Sequence, residues 1–150
     1  MNIIICGAGK VGFSISKQLS AQGHSVTIID QSSEDIKKIN DTQDVKGIVG
    51  RATLPTVLEN AGAEKADMII AVTGSDEVNM AACHIAKTVY KVPKRIARLR
   101  ANEYLRMEEG FDKSSFSIND VISPNILLTD YVKNICLLYT SDAADERSSV

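Results

Sequence analysis

Apolar residues are distributed along this chain in two alternating patterns. Short unbroken runs give way to longer stretches in which apolar residues return every three or four positions. The runs Asn2–Cys6, Ser25–Asp30, Val45–Val49, Met68–Val72, Arg95–Leu99 and Val121–Ile122 predict six strands. The stronger runs are continuous in apolar character, as in strands of a parallel sheet covered on both faces. Between them the period lengthens. Val11, Ile15 and Leu19 form one stripe on a helix from Lys10 to about Gln22, which Gly23 closes. Ser32 or Ser33 caps a second helix with Glu34 and Asp35 in its first turn and Ile36 and Ile39 facing the core. Pro55 fits the first turn of a short helix over Thr53–Asn60. The polar turn Thr73-Gly74-Ser75-Asp76 precedes a longer helix from Glu77 to about Tyr90, with Asp76 as its cap. Two more helices are expected over Asn102–Glu109, ended by Gly110, and Asn125–Ile135, opened by Pro124. Sustained strand–helix alternation with short connections predicts one α/β domain, a doubly wound parallel sheet with helices on both faces.

The first strand runs directly into Gly7-Ala8-Gly9-Lys10-Val11-Gly12, and the first helix follows at once. Each glycine in this G-x-G-x-x-G has a separate task. Gly7 turns the chain sharply off the strand. Gly9 has no Cβ, so a diphosphate can approach the backbone. Gly12 lets the helix pack close to the strand. The helix start then offers unpaired N–H groups and a partial positive charge. Such a glycine pattern alone is weak, but here a strand precedes it, a helix follows and an acid lies downstream. Asp30 closes the second strand eighteen residues after Gly12. Its carboxylate is placed to accept hydrogen bonds from ribose hydroxyls. The sheet is therefore expected to be Rossmann-like.

Ligands of such sheets lie beyond the carboxyl ends of the strands. That rule selects Gly7 to Val11, Asp30 with Gln31, Gly50 to Thr53 including Ala52, Thr73 with Gly74, and Arg98 with Arg100. Arg98 and Arg100 share a strand face, where a buried unpaired arginine would be costly. At the strand end their planar forks can reach phosphate. The other reading has both in solvent or one paired with an acid.

Length and composition narrow the function classes. The 150 residues fit one domain, 44% hydrophobic and 24% charged, with a formal charge of −2. That balance offers no footprint for nucleic acid. Cys6, Cys83 and Cys136 are widely spaced, and His24 and His84 form no cluster with them, so no zinc site is expected. Free thiols suit a reducing cytoplasm. No apolar run approaches the ~20 residues of a membrane helix, so direct membrane insertion is not expected. Cys83 and Met80 read as core and His84 as surface. Lys87, Lys91, Lys94 and Arg95 read as a solvated basic face. No set of residues proposes itself for catalysis.

Beyond these single residues, longer stretches resemble a known family. They are Met1 to Gly12, Gly50-Arg51-Ala52-Thr53, Ala71 to Met80, Arg95 to Arg100, Asn102-Glu103-Tyr104 and Val121 to Pro124. They resemble the RCK, or KTN, domains, the ligand-gating modules of potassium channels and transporters. Within that family they are most similar to the regulatory subunits of the bacterial Trk potassium uptake system. The resemblance covers residues 1–135. It implies binding of NAD(H), or of ATP or ADP, by a non-catalytic regulatory domain. The ligand contacts it implies are Gly7 to Val11, Asp30, Thr73, Gly74 and Arg98, with Arg100 as a neighbouring phosphate ligand. It further implies a homodimer or higher oligomer. The partner would be a potassium-transporting membrane subunit, which would hold the chain at the inner face of the cell membrane. From Cys136 to Val150 the resemblance lapses, and this tail is similar to translated adapter or vector sequence. The competing function is the cofactor domain of an NAD-dependent dehydrogenase or reductase. A third reading is a truncated domain that binds nothing tightly.

Overall fold

In the computed structural model, the described residues are 1–101, 103–104, 117–122, 134 and 137. The elements follow in the order β1 (Asn2–Cys6), α1 (Lys10–Ala21), β2 (Ser25–Asp30), α2 (Ser33–Thr42), β3 (Lys46–Val49), α3 (Pro55–Asn60), a 3-10 turn (Ala63–Lys65), β4 (Met68–Ala71), α4 (Asp76–Thr88), β5 (Lys94–Arg98) and β6 (Asp120–Ile122). The six strands pair in parallel in the order β3-β2-β1-β4-β5-β6. This is the doubly wound, Rossmann-like arrangement expected from the apolar runs.

The continuous runs are buried on both faces because consecutive side chains feed opposite cores. Ile3, Ile5, Ile28, Met68 and Ile70 pack with Ile15 and Leu19 of α1 and with Ile36 and Ile39 of α2. Ile4, Cys6, Ile29, Ile69 and Ala71 pack on the other face with Leu58 of α3 and Met80, Ala82, Cys83 and Ala86 of α4. Strand order therefore reverses between β1 and β4, the two central neighbours. Their carboxyl ends open the crevice in which a doubly wound sheet takes its ligand.

Helix ends depart modestly from the periodic pattern. Ser32, not Ser33, caps α2, accepting from the Asp35 N–H at 3.2 Å. The long helix stops at Thr88 rather than Tyr90. There Lys91 adopts φ 58°, and the amides of Lys91 and Val92 fold back onto the carbonyls of Lys87 and Ala86. A lysine in a left-handed conformation carries no sequence signal of the kind glycine gives. The 3-10 turn at Ala63–Lys65 has no counterpart among the expected elements. It follows Gly62, whose φ is 89°. The helices expected over 102–109 and 125–135 and the boundary at residue 135 lie almost wholly outside the described residues; Glu103 and Tyr104 are helical.

Candidate functional site

The glycine turn can be judged by what a Cβ would meet at each position. At Gly7, with φ +111°, it would lie 2.9 Å from the Val72 carbonyl oxygen. At Gly12 it would lie 1.7 Å from the Gly7 carbonyl oxygen, so the closeness of α1 to the turn excludes any side chain there. At Gly9 it would meet nothing within 4 Å. The backbone over Gly9 is thus open, while Gly7 and Gly12 are required by close packing. Gly12 is buried and serves this packing; the open positions are Gly9 and Lys10.

Asp30 ties the turn to β2. Its Oδ2 accepts from the Ala8 N–H at 2.7 Å, and its Oδ1 accepts from the Ser32 N–H at 2.8 Å. The Ala8 amide is therefore engaged within the protein. Each carboxylate oxygen keeps a second lone pair for a further donor. Gly9 stands at the N-cap of α1 and offers no side-chain hydrogen bond, and the first turn holds no acid. By contrast, α2 and α4 carry side-chain caps from Ser32 and Ser75 and acids in their first turns. The start of α1 is left electropositive with its amides uncapped.

Across the crevice, Arg98 is 9% exposed. Its Nη2 donates to the carbonyls of Val72 and Thr73, at 2.9 Å each, and its Nε is buried without a partner. No carboxylate among the described residues forms an ion pair with it. Burial pulls its pKa below the usual arginine value, the neighbouring Arg100 charge adds to this, and Asp76 opposes it. Arg100 lies just past β5 and is exposed. Asp76 does not cap α4 as expected; Ser75 does, accepting from the Val78 N–H at 3.2 Å. The Asp76 carboxylate instead accepts from the backbone N–H groups of Arg100, at 3.0 Å, and Ala101, at 2.8 Å. This fixes the path of the chain that carries Arg100.

These groups line hollows that share lining residues. One, of about 460 Å³, brings together Gly7, Gly9, Lys10, Val11, Arg98 and Arg100, and also touches Asp30, Thr73 and Gly74. A second, of about 270 Å³, shares Asp30, Thr73 and Gly74 and adds Gln31, Ala52 and Val78. Ala8 lines a third, of about 380 Å³, next to Gly9, Phe13 and Lys38. Of the residues singled out at the turn and the strand ends, all line one of these three hollows except Gly12, Arg51 and Thr53. Asn79, for which the sequence suggests no role, holds Thr73 and the Arg98 backbone in place. Its signal was a polar residue at a core-facing position of α4.

Other titratable groups are structural. Cys6 and Cys83 are fully buried and unpaired by disulfide. Burial pushes the Cys83 thiol up to about 12, eased by Arg95, and raises Cys6 further, helped by its neighbour Cys83. His84 is exposed, with its Nδ1 3.1 Å from the Ser117 hydroxyl. Arg95 corrects the expectation of a solvated basic face. It is 9% exposed and donates to the carbonyls of Val92, Pro93 and Ser117. Those carbonyls satisfy it without a counter-ion. Lys94 pairs with Asp120, while Lys87 and Lys91 are exposed. Among the described residues, no cluster of three potential metal ligands occurs.

Residues 3–124 match the model of the TrkA-N domain. The chain belongs to the TrkA-N domain family. Two proteins named Trk system potassium uptake protein TrkA are among its relatives. The one from Azorhizobium caulinodans is 43% identical over 134 residues, covering 88% of this chain and 29% of the relative. The one from Vibrio alginolyticus is 40% identical over 136 residues, covering 90% of this chain and 30% of the relative. The TrkA-N domain chain thus spans about 30% of the length of these relatives.

Solved structures share the fold. The TrkA-N domain of the inner membrane protein ybaL from Escherichia coli superposes with a TM-score of 0.72 at 16% identity, covering 91% of this chain and 95% of that one. The GsuK channel bound to NAD gives 0.68 at 18% identity, covering 81% and 21%. The Kef C-terminal domain of Shewanella denitrificans in an AMP-bound form gives 0.67 at 23% identity, covering 99% and 88%.

Proposed function

We propose that this chain is a nucleotide-sensing regulatory domain of a potassium uptake system, binding NAD(H), ATP or ADP without catalysing a reaction on it. One observation carries this reading: Arg98 is a nine-tenths-buried cation without a counter-ion, across the crevice from the uncapped, electropositive start of α1. Two carbonyls satisfy the Arg98 Nη2, but its Nε is buried without a partner and no counter-ion among the described residues balances its charge, which is costly, and a helix N-terminus favours an anion. A phosphate group satisfies both, and open space over Gly9 admits it. In this assignment the amides after Gly9 and the arginines Arg98 and Arg100 take the phosphates. Asp30 takes ribose hydroxyls, and the hollow lined by Gln31, Ala52, Thr73, Gly74 and Val78 takes the adenine.

The name shared by the TrkA relatives and the NAD- and AMP-bound states of the fold neighbours support the ligand class and the transport setting. The partner is a potassium-transporting membrane subunit of the Trk type. The chain works as a dimer or higher oligomer at the cytoplasmic face of the membrane. No helix among the described residues is long and apolar enough to cross a membrane. Attachment is therefore assigned to the partner.

Thermal melts with NADH, NAD, ATP and ADP test the reading. A ligand at 100 times its dissociation constant adds about 2.7 kcal/mol of stability. No shift with any of the four refutes nucleotide binding. Sustained NADH oxidation with a panel of carbonyl compounds, dependent on this chain, would replace the regulatory reading with the dehydrogenase one.

A further inference from the structure

Asn79 is 0% exposed on α4, so it is shielded from anything occupying the hollow. Its amide bonds instead to the ends of two neighbouring strands. Oδ1 accepts from the Thr73 N–H at 2.9 Å and from the Thr73 hydroxyl at 2.7 Å. Nδ2 donates to the Thr73 carbonyl at 3.2 Å and to the Arg98 carbonyl at 2.8 Å. The Arg98 side chain then returns to the carbonyls of Val72 and Thr73. Asn79, Thr73 and Arg98 form a closed ring of hydrogen bonds, of which Thr73 and Arg98 line the hollow. Only a group with both donors and an acceptor can fill the central place. An aspartate would set an oxygen against two carbonyls in place of Nδ2, and a leucine would take this partner from the Thr73 N–H and the Arg98 carbonyl.

We infer that Asn79 is a positioning residue for phosphate recognition. It sets Thr73 directly, and it sets Arg98 by holding the backbone from which that side chain grows. This rests on the nucleotide reading above. It goes beyond a packing role because both groups that Asn79 fixes face the ligand hollow.

A double-variant cycle read by ADP calorimetry separates positioning from packing. Asn79→Ser should weaken ADP about tenfold in the otherwise unchanged chain, and less than twofold when Arg98→Ala is already present. Equal losses in both backgrounds, or no loss in a folded Asn79→Ser chain, overturn the inference. A second measurement needs no variant. In nuclear magnetic resonance spectra of the unmodified chain, the Asn79 side-chain amide pair should shift as ADP saturates, although the ligand cannot reach it. An unmoved pair in a chain that binds ADP overturns the inference and leaves the nucleotide reading standing. A chain that binds none of the four nucleotides removes both.

Discussion

Gly9 and Gly12 are three residues apart in one motif, yet substitution should separate ligand binding from folding. A Cβ on Gly12 would stand 1.7 Å from the Gly7 carbonyl oxygen, a backbone atom that cannot swing aside. Restoring van der Waals contact requires α1 and the turn to separate by roughly 1.5 Å or more. Overpacking of well-packed sites costs about 1–3 kcal/mol and sometimes more, so Gly12→Ala should cost about 3 kcal/mol or above. For a domain of this size each kcal/mol moves the melting temperature by about 2–4 °C, giving a loss of about 6–12 °C. Gly9 has φ −72° and ψ −165°, an extended conformation open to other residues, and its Cβ would meet nothing within 4 Å. Gly9→Val should therefore melt within about 2 °C of the parent. Its side chain would occupy the space assigned to the diphosphate. Displacing that group forfeits charge-assisted hydrogen bonds of about 1.5–3 kcal/mol each, so ADP affinity should fall at least about 100-fold. Melts and ADP calorimetry on the two variants decide the matter. A folded Gly9→Val chain with unchanged ADP affinity would refute the placement of the phosphates. A Gly12→Ala chain that melts like the parent would refute the packing account.

Three further predictions concern single groups. Asp30→Ala should weaken NAD and improve NADP relative to it, and should cost about 1–2 kcal/mol because the Ala8 and Ser32 amides lose their acceptor; calorimetry giving equal NAD and NADP affinity for the unmodified chain would refute the selectivity. Arg98→Ala should weaken ATP and NADH alike, whereas Arg100→Ala should weaken ATP more, since only ATP presents a third phosphate near the mouth; equal losses at Arg100 would remove its discriminating role. The buried thiols predict stability that is complete below pH 9, the ordinary thiol value, and falls above it, because the unfolded chain then releases protons that folded Cys83 retains up to about 12 and folded Cys6 also retains. The loss is up to about 1.4 kcal/mol per pH unit for each thiol. Denaturant titrations at pH 8 and pH 10 should show a smaller drop for the Cys6→Ala, Cys83→Ala double variant, and an equal drop would contradict the burial account.

The sheet was legible because its strands are buried on both faces and therefore appear as uninterrupted apolar runs such as Ile3–Cys6 and Met68–Val72. The glycine turn of the candidate site was legible because backbone geometry there demands one residue type. Gly7 and Gly12 are such positions, since any side chain there would strike backbone. Less legible were side chains whose roles depend on which strands become neighbours. Arg95 belongs to a basic stretch in sequence, yet β5 carries it inward to the carbonyls of Val92, Pro93 and Ser117. Asp76 sits where a helix cap is expected. Pairing of β4 with β5 instead brings the amides of Arg100 and Ala101 to its carboxylate. Asn79 lies one turn beyond Thr73 and Gly74 in sequence but shows no role there, because its partners come from the turn after β4 and from β5, which only the fold brings together.

The central claim is that a nucleotide's phosphates sit between the start of α1 and Arg98. A crystal structure of the chain grown with saturating ADP tests it most directly. The account predicts the diphosphate within hydrogen-bonding distance of the amides that follow Gly9 and of the Arg98 guanidinium, with the ribose against Asp30. ADP bound away from the glycine turn, or an ADP-saturated crystal with no nucleotide in the crevice between β1 and β4, would contradict it.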